Sequence, residues 1–294
     1  QAQTTAGGQR ARSFRSPAAY ALPGTLEIGR NLRPLKRRVP SRTRLIFDEA
    51  ATAHRIADTG DWMPVLKAAA ERWLAVTLLV DESSSMVIWQ RMISELKALL
   101  EQQGAFRSVN LWGFRSQTDA MSVTLYSGIG PTANRDRPHR AAELNDPLGR
   151  RLVLVVSDCV APIWHNGVMA TLLAAWGRAG LVTLLQVLPD RLWVRSGLRT
   201  FPSIYLRSPA SGAPNAEFQL EWTTHPLAQR PLHSVPVPVA PLDALPLGYW
   251  AQALAGNSNL WLPGVLAVPN PVDPETGAAI IPTLPTRAAA GTSA

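Results

Sequence analysis

The segment Leu74-Ala75-Val76-Thr77-Leu78-Leu79-Val80-Asp81-Glu82-Ser83-Ser84-Ser85 sets the architecture of this chain. Its first seven residues form a Val- and Leu-rich run of the kind that a strand buried on both faces requires, and such strands belong to parallel sheets. The D-x-S-x-S that follows places the Asp81 carboxylate and the Ser83 and Ser85 hydroxyls in the turn at the strand's carboxyl end. Beyond it Ile88, Trp89, Met92, Ile93, Leu96, Leu99 and Leu100 recur at three- and four-residue spacing until Gly104, which predicts a helix over 85–103. The oxygen donors therefore sit between a strand end and a helix start, where open α/β sheets bind their ligands.

Two hydroxyls with one or two carboxylates suit a hard cation. Mg²⁺ takes oxygen ligands in an octahedron and keeps several waters, so such a turn holds it with a face left open. The same residue types also cap strand-to-helix turns by accepting backbone N–H bonds, and both readings stand at this level.

Outward from this segment the pattern predicts strands at 109–114, 122–127 and 152–157, a helix at about 164–178 and a strand at 181–188. Alternating strands and helices imply an α/β fold with a mainly parallel central sheet and helices on both faces. The short connection before 122–127 makes that strand the one antiparallel edge. The strand at 152–157 ends in Ser157-Asp158, a second hydroxyl and carboxylate at a strand terminus.

Strand, D-x-S-x-S, amphipathic helix and a later strand ending in Ser157-Asp158 resemble, over residues 72–190, the von Willebrand factor A (vWA) domain and its metal-ion-dependent adhesion site, or MIDAS. The resemblance implies a Rossmann-like fold in which Asp81, Ser83, Ser85 and Asp158 surround Mg²⁺ or Mn²⁺, with Thr132 as the hydroxyl of the second loop and a partner's carboxylate completing the shell. Thr132 departs from the family pattern: no amphipathic helix follows it, and its loop is rich in Pro, Arg, Asn and Asp. The resemblance further implies a non-enzymatic protein–protein interaction module of the bacterial multidomain adaptor or conflict-system type. Its implied partner is a MoxR-type AAA+ ATPase or a covalently linked sensor or effector module. Trp164 and His165, in the loop after Asp158, are candidates for the partner-binding rim.

The flanks read differently. Residues 1–45 form a basic, partly disordered arm, 46–72 a helical lead-in with Ile46, Phe47, Ala50, Ala53, Ile56 and Ala57 on one face, and 73–268 the vWA-like domain. Within its variant C-terminal part, 201–222 is expected to be a β-hairpin extension with an exposed tip near Ser208–Asn215. Residues 234–239, with proline at every second position, are expected to be an extended edge segment. A short helix is expected at 248–254, and 269–294 reads as a linker or disordered tail.

Charge is concentrated in the arm: residues 1–44 carry ten basic side chains against Glu27 alone, while the remainder is nearly neutral. Arg33, Lys36, Arg37, Arg38 and Arg42 are its densest part, a candidate surface for phosphate or acidic partners, and a nucleic-acid-binding scaffold is the alternative function they suggest. No stacking aromatics interleave them, and their Pro and Leu also suit a strap lying on the domain.

A hydrolase is the second alternative. It lacks a G-x-S-x-G elbow or a phosphate-cradling G-x-x-x-x-G-K-[ST], and the five histidines show no ligand spacing that would point to zinc. The single cysteine, Cys159, excludes an intrachain disulfide and reads as a small buried hydrophobe after Asp158. No run approaches the roughly 20 apolar residues of a membrane span. With no signal-peptide pattern, the expectation is a cytoplasmic protein without a membrane partner, and the first residue, Gln1, suggests a piece of a longer chain.

Overall fold

Alternate burial organises the sheet. Along Leu74–Asp81 (β3), Leu78 and Val80 point to one core and Leu79 to another, and along Arg151–Ser157 (β7) Leu152, Leu154 and Val156 oppose Val153 and Val155. A strand with apolar side chains on both faces needs cover on both, which an α/β sandwich provides. The computed structural model describes residues 20–116, 122–146, 148–223 and 230–269. Its elements in chain order are α1 (Thr25–Asn31), β1 (Arg38–Phe47), α2 (Glu49–Thr59), β2 (Leu66–Arg72), β3, α3 (Gln90–Gln102), β4 (Phe106–Ser116), β5 (Val123–Ser127), β6 (Asn134–His139), β7, α4 (Val168–Ala179), β8 (Leu181–Gln186), β9 (Ser203–Arg207), β10 (Gln219–Trp222), β11 (Val235–Pro241), α5 (Ala244–Leu254) and β12 (Leu262–Ala267), joined by short 3-10 turns.

Among the described residues β3 to β12 make a ten-stranded sheet in the order β10-β9-β12-β11-β8-β7-β3-β4-β5-β6. Its centre, β11-β8-β7-β3-β4, is parallel throughout, and antiparallel strands extend it on both sides. From β3 the chain winds outward through β4 and β5; from β7 it winds the other way through β8 and β11. The β3/β7 boundary is thus a topological switch point, and crevices at such points are where doubly wound sheets bind ligands. Residues of α1, α3 and α5 pack on one face, and α4 with the 3-10 turns around 162–164 and 197–200 on the other.

Several expectations are corrected. The strand at 122–127 is not the edge: β6, read as loop because it shows no apolar alternation, pairs outside it. The antiparallel part is also larger than one strand, since β9, β10 and β12 join the opposite side. Ile46 and Phe47 belong to β1 rather than to a helix, and the lead-in is helical only over Glu49–Thr59, where Asp48 caps the Ala51 N–H and Gly60 in a left-handed conformation ends the turn. β1 pairs with β2 as a separate ribbon, and upstream of it Leu22, Ile28, Leu32 and Leu35 are buried against the body. The expected tail lies outside the described residues from 270 onward, as does the start of the arm up to residue 19.

The hairpin forms as β9 and β10; in its connection Pro209 and Ala210 are exposed as expected, while Ser208, Ala213 and Asn215 are buried. The proline-rich segment is an interior strand. β11 pairs antiparallel with β12 over residues 235–238 and parallel with β8 over 239–241. The N and O of a strand residue point to the same side, and the Pro236 carbonyl faces β8, where it accepts from Asn215 Nδ2 at 3.0 Å. The missing N–H of Pro236 therefore also faces that gap, which Asn215 fills. Its Oδ1 accepts from the Val182 N–H at 3.0 Å and its Nδ2 donates to the Val182 carbonyl at 2.8 Å.

The indole N–H groups of Trp73, Trp164, Trp176, Trp193 and Trp250 each donate a hydrogen bond, to Leu35, Asp81, Ala141, Leu188 and Thr183 respectively. Large rings are buried in this way without stranding a donor. Among the described residues no helix is long and apolar enough to cross a membrane.

Candidate functional site

β3 and β7 are neighbours in register, so their carboxyl ends bring Asp81 and the Ser157-Asp158 pair side by side. Asp81 is buried and fully engaged. Its Oδ1 accepts from the Ser83 N–H at 2.9 Å, and its Oδ2 accepts from Ser157 Oγ at 2.7 Å and from Trp164 Nε1 at 3.1 Å. Ser157 Oγ in turn accepts from the Cys159 N–H at 2.8 Å. Asp158 is also buried; its Oδ1 accepts from the Val160 N–H at 3.0 Å, while its carbonyl accepts from Gln186 Nε2 at 3.3 Å.

Ser83 and Ser85 bring their hydroxyl oxygens to 3.2 Å of one another. After them the chain takes a 3-10 path over Ser84–Trp89 before α3 begins, so the α-helix starts five residues later than the spacing predicts. Three serines in a row favour the extended and turn conformations that caps use, and Met86 N–H closes the turn on the Ser83 carbonyl. Met86 is thereby drawn under the site, whereas Val87 and Ile88 are turned to solvent. Val160, two residues past Asp158, is exposed as well.

Glu82 was not among the expected site residues, yet it fastens the second loop to the turn. Its side chain accepts from the Gly130 N–H and from Arg115 Nε at 3.0 Å, and pairs with Arg135 at 3.3 Å. Thr132 lies in an exposed 3-10 turn of this second loop, where its hydroxyl donates to the Ile129 carbonyl at 2.8 Å. Trp164 is corrected from rim to core. It is fully buried, and its indole caps Asp81; only His165 of that pair is exposed. Nothing in the sequence separated these alternatives, because the D-C-V-A-P-I-W-H loop turns back on itself. Cys159 adopts φ 58°, rare for a side chain with a Cβ, and its carbonyl accepts from the Gly197 N–H at 2.7 Å. A Cβ on Gly197 would stand 2.5 Å from Trp164 Cβ, so only glycine allows this approach. Burial pushes the Cys159 thiol well above its usual range, which makes it an inert packing group.

No protein-family model matches the chain, and neither a curated protein nor a solved structure matches it.

The electrostatics centre on Asp81. Desolvation raises its pKa above the ordinary 3.8, and the bonds from Ser157, Trp164 and Ser83 only partly offset it. The folded state thus favours the protonated acid more than the unfolded chain does. The resulting penalty is present at neutral pH and is relieved as pH falls through the raised folded value toward 3.8. A carboxyl ¹³C NMR titration is expected to place the Asp81 midpoint above 3.8; a midpoint at or below it would show that the bonded donors outweigh burial.

As a cation holder the site fits on its serine side. Adjacent ligands of an octahedral ion at about 2.0–2.1 Å stand about 3 Å apart, close to the Ser83–Ser85 separation. Among the described residues no cluster of three or more His, Cys, Asp or Glu is placed to hold a metal ion. The basic residues of the arm gather elsewhere. Arg33, Lys36, Arg37, Arg38 and Arg42 are exposed, Arg37 lies over the Trp73 ring at 5.8 Å, and Arg33 and Lys36 line a broad cleft of about 950 Å³ between α1 and α3.

Proposed function

We propose that this chain is a protein-binding module on a vWA-like scaffold, and that its D-x-S-x-S turn is the docking point for a partner. The observation that carries the reading is the meeting of Asp81, Ser83, Ser85 and Asp158 at the switch point of a doubly wound sheet. The outward path from β3 through β4 to a reversed β5, and the opposite path from β7 through β8 to β11, also accord with a vWA plan. Ser83 and Ser85 would hold Mg²⁺ or Mn²⁺ directly, with Asp81 and Asp158 behind them. The bound ion would supply positive charge for a carboxylate of the partner. The chain's own residues do the rest: Glu82 pins the second loop, Trp164 and Ser157 hold the Asp81 carboxylate in place, and the exposed Val87, Ile88 and Val160 offer apolar contact beside the polar centre. The cleft at the turn holds only about 60 Å³, far less than a substrate pocket, so these exposed apolar side chains beside fixed polar groups suit a protein surface rather than a buried small molecule.

Calorimetric titration with Mg²⁺ and Mn²⁺ tests the ion. Wild type is expected to give a saturable isotherm, and the double variant Ser83→Ala/Ser85→Ala an affinity at least about tenfold weaker, for loss of two direct ligands. These substitutions remove two half-exposed hydroxyls, that of Ser83 being also a partner of Asp81, and keep the Ser83 N–H, Ser157 and Trp164 bonds to its carboxylate, so an unchanged melting temperature is required for the change to report on the ion and not on folding. Identical isotherms for the two proteins would defeat the cation reading.

A further inference from the structure

Away from the D-x-S-x-S turn, the β5–β6 edge assembles a second constellation. Ser127 ends β5 and His139 ends β6, and Ser127 Oγ lies 2.8 Å from His139 Nε2. The other ring nitrogen, Nδ1, lies 2.7 Å from Glu143 Oε2. A bulged register brings this about: His139 is opposite Leu125, two residues before Ser127 on the same face, so serine and histidine meet on the diagonal. Trp112 stacks on the imidazole with centroids 4.3 Å apart and fixes the ring plane. Glu143 is held independently. Its Oε1 accepts from the Arg140 N–H at 2.9 Å, and the 3-10 turn that carries it, Ala141–Leu144, is tied to α4 by Trp176 Nε1 donating to the Ala141 carbonyl at 2.8 Å.

The polarity of the chain of bonds follows from its partners. The N–H of Arg140, then His139, then other charges lower the Glu143 pKa, so its carboxylate only accepts. In the neutral imidazole Nδ1 then carries the proton, and Nε2 is left to accept from the Ser127 hydroxyl. That order of nucleophile, base and orienting carboxylate is the working order of a serine acyl-transfer site. The group is reachable, with the His139 side chain about one-fifth and the Glu143 side chain about half exposed.

We propose that Ser127, His139 and Glu143 form a serine-type acyl-transfer site that hydrolyses carboxylic esters. Ser127 Oγ adds to the ester carbonyl carbon while its proton passes to His139 Nε2. The carbon–oxygen bond to the alcohol breaks, and Nε2 returns the proton to the departing alcohol. Water then adds to the acyl-serine by the same route, releasing the acid and restoring the serine hydroxyl. Glu143 is a positioning residue, holding the ring in the tautomer that leaves Nε2 free.

The test uses a fluorophosphonate, which phosphonylates activated serines with loss of fluoride, and a short-chain p-nitrophenyl ester. Mass-spectrometric mapping on the wild-type chain is expected to place the adduct on Ser127, a readout that needs no variant. Ser127→Ala should abolish both labelling and turnover, and His139→Gln should lower kcat by about 10³-fold or more. Glu143→Gln should lower kcat by about 10³- to 10⁴-fold with KM and the melting temperature unchanged, which loss of a merely structural contact would not do. All of this should persist in excess EDTA, so the outcome is independent of any ion at Ser83 and Ser85. Absence of an adduct on Ser127, or ester hydrolysis undiminished in Ser127→Ala, would overturn the proposal.

Discussion

Trp164→Ala is expected to lower the unfolding free energy by about 5 kcal/mol, and Trp164→Phe by about 1–2 kcal/mol, as read from urea midpoints with an unchanged slope. Trp164 is fully buried, among Phe201, Gly197 and the residues around α4, and truncating a buried tryptophan to alanine costs about 3–5 kcal/mol through lost burial and the cavity left behind. The indole N–H adds a second contribution, since it is one of two donors on Asp81 Oδ2. Phenylalanine keeps most of the packing but gives up part of the ring's volume together with that bond, so it is the pH dependence of its deficit that isolates the polar link.

The two variants also differ in pH dependence. The Trp164 bond favours the ionised form of Asp81, so in Trp164→Phe the folded pKa of Asp81 rises further above 3.8. The deficit of that variant is therefore largest at neutral pH and shrinks as pH falls and Asp81 is protonated in both proteins. A deficit that is independent of pH would mean that the indole acts on the site through packing alone. A drop as small for alanine as for phenylalanine would contradict the burial of the ring.

What could be read from residue order was whatever depended on local pattern. The Leu74–Asp81 run, the serine-rich turn and the Ser157-Asp158 terminus are each contiguous, and each lies where the strand pattern puts it. The rest depended on contacts between distant segments. β6 carries Asn134, Arg135, Asp136, Arg137, Pro138 and His139, a string without apolar alternation, because an edge strand with few buried side chains leaves no periodic trace. The pairing of His139 with Ser127 needs that strand, so the histidine looked isolated even though Glu143 follows it at four residues. Ile88 fits the apolar spacing of α3 and is nonetheless exposed, because the 3-10 turn rotates it off the buried face. Trp164 and Glu82 were legible as residue types but not as roles. Whether an aromatic after a strand-end aspartate packs inward is decided by Cys159 and Gly197, whose backbone geometry no pattern of side chains encodes.

The β8–β11 seam supplies the other large expected effect. Asn215→Ala should destabilise the fold by about 3–5 kcal/mol, because it strands three buried backbone groups: the Val182 N–H, the Val182 carbonyl and the Pro236 carbonyl. Prolines at 236 and 238 leave β11 no donor to offer β8 there, so no rearrangement of the two strands can replace the side chain. Asn215→Asp makes the sharper test. An aspartate still accepts from Val182 N–H, but it sets a carboxylate against two carbonyls that require a donor, so at neutral pH it should be at least as damaging as alanine. In acid the protonated Asp regains one donor and should recover part of the loss, whereas Asn215→Ala has no group there to titrate. Amide exchange discriminates further: the Val182 N–H should lose protection in the alanine variant and keep more of it in the aspartate variant. If both substitutions fell within about 0.5 kcal/mol of wild type, the range of an ordinary surface change, β8 and β11 would have to be held together without the asparagine.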